Sequence, residues 1–255
     1  MGPWEGRSVI RANLHISFDP GFEVFLKRKK SLVFTCPLKR NAPIIDIIES
    51  IGVPHTEIGR ISAKGAELDF HFKPRSTMSV DVSPVQALCD VREKTLLRPV
   101  PYPDIRFIVD ENVVKLAVFL RILGLDAIYH PGIHDGEIAA IARAQKRVVL
   151  SRDIQLFKRK NIVYGRYIRS INPLDQIKEI KDFFRFHEPF APFTRCLECN
   201  TVLAPVSKES VIHRLEPKTK AYFNEFRLCP VCDKVFWRGS HHDHMMQALT
   251  SSGIL

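Results

Sequence analysis

The 255-residue sequence predicts an α/β fold: a parallel-sheet unit in the middle of the chain, a small α+β sheet unit before it and a cysteine-bearing segment after it. Three observations carry this. From Arg106 to Phe184, near-continuously apolar runs alternate with amphipathic ones; before Pro84, short alternating runs surround one isoleucine-rich stretch; after Thr194 come two Cys-x-x-Cys pairs. Strands covered on both faces read as apolar runs, and alternating β and α elements build parallel sheets.

Taken in order, NLHISF alternates and SLVFTC reads as a second strand. PIIDIIESIG is an amphipathic helix with Ile44, Ile45, Ile47, Ile48 and Ile51 on its buried face and Gly52 as its stop. ISAKGAELDFHF resembles two extended segments around a Lys64-Gly65 turn. Two strands, a helix and further strands within residues 12–84 predict a β-grasp, or ubiquitin-like, sheet. Residues 85–104 carry Pro99, Pro101 and Pro103 and read as a linker, because proline removes a donor and fixes φ. The central unit spans 105–190. RFIVD is a strand ending on a carboxylate, VVKLAVFLRILG a helix apolar around most of its surface, and LDAIYH a strand. HDGEIAAIARAQKR is a helix with Asp135 as N-cap and Ile138, Ile141 and Ala142 on one face. RVVLSRD and IVYGRYI are strands and NPLDQIKEIKDFF the last helix, after which HEPFAPFT leads into the cysteine segment, 191–248.

The hydrophobic fraction of 45% and charged fraction of 26% are those of a globular chain. No apolar run nears the ~18 residues of a membrane span, and MGPWEGRSVIRA lacks the apolar core of a secretory signal, so a soluble, cytoplasmic protein is expected. A net charge of +10, spread along the chain, favours polyanionic partners, nucleic acid first, because basic side chains displace counterions condensed on a phosphate backbone.

Cys196, Cys199, Cys229 and Cys232 form two knuckles separated by 29 residues. Each short loop presents two sulfurs, and four thiolates close a tetrahedral zinc site with no open position, which predicts a structural Zn²⁺. A redox pair or two disulfides are the alternatives. Cys36 and Cys89 read as small buried hydrophobes.

Asp110 follows FIV, Asp153 follows VVLSR, and Asp135 opens the intervening helix. In an open parallel sheet the carboxyl ends of the strands share one edge, where ligands bind, and helices begin from that same edge. Clustered carboxylates repel unless a cation neutralises them, an arrangement that holds Mg²⁺ or Mn²⁺ for phosphodiester hydrolysis. The alternative makes each aspartate a cap or turn residue. Glu137 could add a fourth carboxylate or serve the helix dipole, and Glu111 and Asp175 read as solvated or capping. Arg152, Lys158, Arg159, Lys160, Arg166 and Arg169 follow the acids and could track a phosphate backbone, with Arg152 nearest the reacting groups; a solvated charge run is the bland reading. Tyr164 and Tyr167 could stack on bases, although strand alternation accounts for one of them as core, and His241, His242 and His244 invite a second metal site or, more simply, contacts with substrate or solvent.

RFIVDENVVKLAVFLRILGLDA, DGEIAAIA, VVLSRD, RCLECNTVL and CPVCDKVFWRGSH, in this order, resemble the Mut-seven C-terminal RNase family over about residues 105–248. The resemblance implies a PIN-like nuclease domain joined to a zinc ribbon and metal-dependent RNA cleavage at Asp110, Asp135 and Asp153. IIESIGVPHTEIG resembles the ubiquitin-like domain that often precedes it, and RSTMSVDV stands where that domain has an acidic Gly-Asp turn. A protein partner for this N-terminal domain follows as an expectation. The rival class is a non-catalytic RNA-binding or ribosome-associated zinc-ribbon protein.

Overall fold

A computed structural model of the chain describes residues 12–38 and 41–255. The reading of residues 1–11 as free of a secretory signal lies outside them. The chain forms two compact units: one reaches Gln86 and takes in Lys94–Val100, and the other comprises Ala87–Glu93 and Pro101–Leu255.

The first unit runs β1 (Asn13–Phe18), α1 (Glu23–Leu26), β2 (Val33–Pro37), α2 (Ile44–Ile51), β3 (Ile58–Ala63), β4 (Ala66–Glu67) and β5 (Met78–Pro84). Its mixed sheet has the order β2-β1-β5-β3-β4, with β1 and β5 parallel at the centre. Alternation turns Leu14, Ile16 and Phe18 of β1 and Val80 and Val82 of β5 into one core with Ile44, Ile48 and Ile51 of α2. Each such buried side chain contributes roughly 1.5–3 kcal/mol relative to exposure. Ile47, grouped with these by the sequence, packs at the core's margin. RSTMSVDV supplies the entry to β5 and most of that strand, which pairs with both β1 and β3. Cys36 is half-buried against this core, and Cys89, in the second unit, is half-buried too; neither is the fully buried hydrophobe expected.

The stretch 85–104 is parted between the units. Leu97 belongs to the first core. Arg98 is buried, and its guanidinium donates to the carbonyls of Thr56 at 2.8 Å and Ile58 at 3.0 Å. In the second unit, Cys89 exchanges backbone bonds with Phe183 and Arg185, and Tyr102 donates its N–H to Val91 O.

The second unit continues β6 (Phe107–Val109), α3 (Val114–Ile122), β7 (Ala127–Ile128), α4 (Asp135–Gln145), β8 (Val148–Ser151), β9 (Gly165–Tyr167) and α5 (Pro173–Phe183). The sheet is parallel throughout, in the order β7-β6-β8-β9, and β6 and β8 are buried along their whole length. α4 lays Ile138, Ala139 and Ala142 on Ile108 and Val149, while α3 packs with α5. The chain leaves β6 for β7 and returns past it to β8, so successive right-handed crossovers put α3 and α4 on opposite faces. The reversal lies between β6 and β8.

Beyond this come β10 (Ala204–Val206), α6 (Lys208–Val211), α7 (Pro217–Tyr222), β11 (Phe226–Leu228), β12 (Val235–Trp237) and α8 (Ser240–Ser251). The three strands form an antiparallel sheet; α6 and α7 follow β10 in the interval between the cysteine pairs, and Val211 of α6 and Leu215, between the two helices, cover Phe226. No helix among the described residues is long and apolar enough to cross a membrane.

Candidate functional site

β6 and β8 lie side by side with Val109 opposite Leu150, and Asp110 extends the ladder by donating its N–H to Leu150 O at 2.9 Å. Its Oδ1 accepts from Glu111 N–H at 2.7 Å and so caps the short 3₁₀ turn Glu111–Val113. Its Oδ2 accepts from Ser151 Oγ at 2.5 Å and Asn112 Nδ2 at 2.6 Å. The Ser151 hydroxyl also accepts from Asp153 N–H at 2.8 Å, and Asn112 Oδ1 accepts from Arg152 N–H at 2.9 Å. One hydroxyl therefore ties the turn after β8 to the carboxylate after β6. Asp153 Oδ1 accepts from Gln155 N–H at 2.8 Å.

Asp135 is the first residue of α4, and His134, with extended backbone, is the cap; this corrects the assignment of Asp135 as N-cap. Its carboxylate lies 3.8 Å from the Arg159 guanidinium. Glu137 reaches back to accept from His134 N–H at 3.0 Å, satisfying a donor at the helix start. All three aspartates thus stand at the carboxyl edge of the sheet, but their carboxylate oxygens do not all fall within 4.8 Å of one another. Among the described residues, the one group of three or more His, Cys, Asp or Glu whose ligand atoms all lie within 4.8 Å is the four cysteines.

Of the basic residues, Arg152 is half-buried and donates through Nη1 to the carbonyls of Arg169 at 3.1 Å and Ser170 at 2.6 Å, clamping the turn after β9. Arg166 is buried: its guanidinium pairs with Glu179 at 3.4 Å and lies 3.8 Å from the centre of the Phe183 ring. This removes it from the expected RNA track, because its place in β9 turns its side chain onto α5. Lys158 is half-buried; Arg159, Lys160 and Arg169 are exposed. Tyr164 is buried with its ring 4.6 Å from that of Tyr102, and Tyr167 packs on the core under α4.

The two cysteine pairs are the same turn used twice. Cys196 N–H donates to Thr201 O and Asn200 N–H to Cys196 O; Cys229 N–H donates to Lys234 O and Asp233 N–H to Cys229 O. Asn200 and Asp233, one after each pair, both have positive φ, 69° and 57°. The Sγ separations are 3.4 Å for Cys196–Cys232 and 3.3 Å for Cys199–Cys229. Zn–S bonds of about 2.3 Å place tetrahedral sulfurs about 3.8 Å apart, so the donor set and its spacing fit a four-coordinate soft or borderline cation. Burial pushes the Cys196 thiol up to about 12, whereas at Cys199 burial is outweighed by hydrogen bonding with Thr201, which brings the thiol down to about 6.

The first knuckle is fastened to the parallel sheet. Arg121, buried in α3, donates to Leu197 O at 2.8 Å, Glu198 O at 2.9 Å and, from Nε, Ala127 O at 2.8 Å. Asn200 accepts from Ala127 N–H at 3.0 Å and donates to Asp126 Oδ1 at 2.8 Å, where Arg147 also donates at 2.6 Å. Gly124, at φ 84°, lets the chain pass against Ala191, where a Cβ would strike the carbonyl. The histidines of α8 hold no ligand cluster among the described residues: His242 pairs with Asp243 at 2.9 Å and packs its ring 4.2 Å from that of Phe193, and His241 and His244 are exposed.

Sequence reasoning passed over Ser151, Asn112, Arg121 and Asn200. Their signals were a hydroxyl two residues before Asp153, an amide two after Asp110, a cation inside an apolar helix and an asparagine directly after a cysteine pair.

Residues 105–249 match the model of the Mut7-C RNAse domain, and residues 11–90 that of the Mut7-C ubiquitin domain. No curated protein and no solved structure matches the chain. The first match spans more than half of the sequence and takes in both the carboxylate edge and all four cysteines, so the chain belongs to the Mut7-C RNase domain family and carries a Mut7-C ubiquitin-like domain on its N-terminal side.

Proposed function

We propose that the protein is a metal-dependent ribonuclease that hydrolyses RNA phosphodiester bonds at Asp110, Asp135 and Asp153, in a PIN-like domain stiffened by a zinc ribbon and preceded by a β-grasp domain. The observation that carries the reading is the position of Asp110 and Asp153 at the carboxyl ends of adjacent strands, at the point where strand order reverses. In open α/β sheets that crevice is where ligands bind. Three carboxylates are a hard oxygen donor set of the kind Mg²⁺ and Mn²⁺ take. Such an ion, when bound, supplies an activated water and stabilises the leaving oxygen.

Around it, the chain's own residues fix the donors. Ser151 and Asn112 hold the Asp110 carboxylate in one rotamer. The Gln155 N–H holds that of Asp153, and Arg159 sits beside Asp135 as a counter-charge that an arriving cation would displace towards phosphate. Cys196, Cys199, Cys229 and Cys232 hold a structural Zn²⁺ in this reading. All six cysteines are free of disulfides, which suits a reducing compartment such as the cytoplasm. The β-grasp domain is left for a protein partner.

The test is RNA cleavage by purified protein that requires added Mn²⁺ or Mg²⁺ and stops with a chelator too weak to remove the zinc. A second reading, a non-catalytic RNA-binding protein, draws on the local partners that Asp110 and Asp135 already have. It predicts RNA binding that falls steeply with salt and no cleavage with any metal.

A further inference from the structure

A groove of about 930 Å³ in the second unit shares no residue with the carboxylate edge. Its walls come from the segment before the first cysteine pair, the antiparallel sheet and α8. Strand register sets Pro205, Arg227 and Phe236 in one row across β10, β11 and β12, and Phe193, Trp237 and His242 also line it. Three arginines, Arg195, Arg227 and Arg238, line the groove against one acid, Glu225. Arg195 is held by the fold, donating to Gly124 O and Asn200 O. Arg227 and Arg238 are exposed, and their guanidinium groups have no hydrogen-bond or ion-pair partner among the described residues. Trp237 is a large aromatic left 40% exposed beside them.

We propose that this groove binds single-stranded RNA, its aromatic side chains stacking on bases and Arg227 and Arg238 meeting the backbone phosphates. The choice of RNA rests on the ribonuclease reading. The rest stands on the groove: rings offer sequence-tolerant stacking, and unpaired guanidinium groups complement phosphate. A duplex keeps its base faces stacked away from such rings, and an apolar peptide leaves both arginines without a counter-charge. The groove then holds a stretch of the strand other than the phosphate being cut.

The chain has two tryptophans, so Trp4→Phe leaves Trp237 as a single reporter. In that 255-residue, zinc-loaded background, with Asp110→Asn to prevent cleavage, an oligouridylate of about eight nucleotides is the probe. Binding is expected to quench the Trp237 emission. Trp237→Ala, read by anisotropy of labelled probe, is expected to weaken binding roughly 5- to 100-fold, with Trp237→Phe restoring most of it. The Arg227→Ala/Arg238→Ala pair is expected to lower the salt dependence by about one to two released ions. Zinc content and unfolding temperature report that these exposed positions leave the fold intact. Unquenched emission on probe binding, or variants that bind as tightly as the parent at every salt concentration, overturns the proposal, and the groove is then a site for something other than nucleotides. Quenching without any cleavage by the unmutated chain upholds the groove and sinks the ribonuclease reading; cleavage with unaltered variant binding does the reverse.

Discussion

Asn200 stands at φ 69° directly after the first cysteine pair, and its amide joins that turn to Asp126 and Ala127 at the edge of the parallel sheet. Groups that orient ligands from behind commonly change metal affinity by about 10- to 100-fold. Asn200→Gly keeps the positive φ and deletes both bonds, so zinc affinity measured by chelator competition should fall within that range. Asp126 sets a pH dependence. Burial alone would raise its carboxyl, but the hydrogen bonds from Arg147 and Asn200 hold it below its ordinary 3.8. A depressed folded-state value stabilises the fold above the unfolded one and loses that contribution as pH falls through the folded one. Urea unfolding should therefore show stability declining below about pH 4, with a shallower decline in Asp126→Asn. That variant should also cost about 3 kcal/mol at neutral pH, because it leaves the buried Arg147 without its charge partner. An unchanged acid limb would remove Asp126 from this role.

α4 is the element that carries Asp135 across β6 and β8, and it is held there by Ile138, Ala139 and Ala142. Ile138→Ala removes a side chain that is 1% exposed and should cost about 3 kcal/mol in denaturant unfolding; a loss under about 1 kcal/mol would mean α4 is not fixed by that contact. α2, α4 and α5 were legible in the sequence because their apolar periodicity ran long enough to count. α1, α6 and α7, of four to six residues, were too short to show a period. The four cysteines were legible from spacing alone. The Ser151–Asp110 bond joins residues 41 apart and exists only because β6 and β8 pair, so no local pattern announces it. Arg166 misled for a related reason: charge suggests solvent, while alternation along β9 and the Glu179 carboxylate of α5 bury it.

At the scale of the whole chain, the proline-rich stretch is two anchors and not one loose tether. Ala87–Glu93 belongs with the second unit, through the Cys89 backbone bonds and the 2.6 Å pair of Asp90 with His187, and Lys94–Val100 belongs with the first. A fragment of residues 105–255 lacks those contacts and the Tyr102 ring over Tyr164, so it should unfold at least about 5 °C below a fragment of residues 87–255, each kcal/mol at this size being worth about 2–4 °C. Equal unfolding temperatures would make 87–104 a linker after all. The parallel sheet, the cysteine knuckles and the groove beside α8 all lie in this second unit, and the proposed chemistry occurs at the carboxyl edge of its parallel sheet. The most direct measurement compares initial rates of RNA cleavage at saturating Mn²⁺ for the full chain, Asp110→Asn and Asp153→Asn, each checked for zinc content and unfolding temperature. The expected result is a loss of about 100-fold or more in each variant with both controls unchanged. Variants that are folded, zinc-loaded and fully active would contradict it.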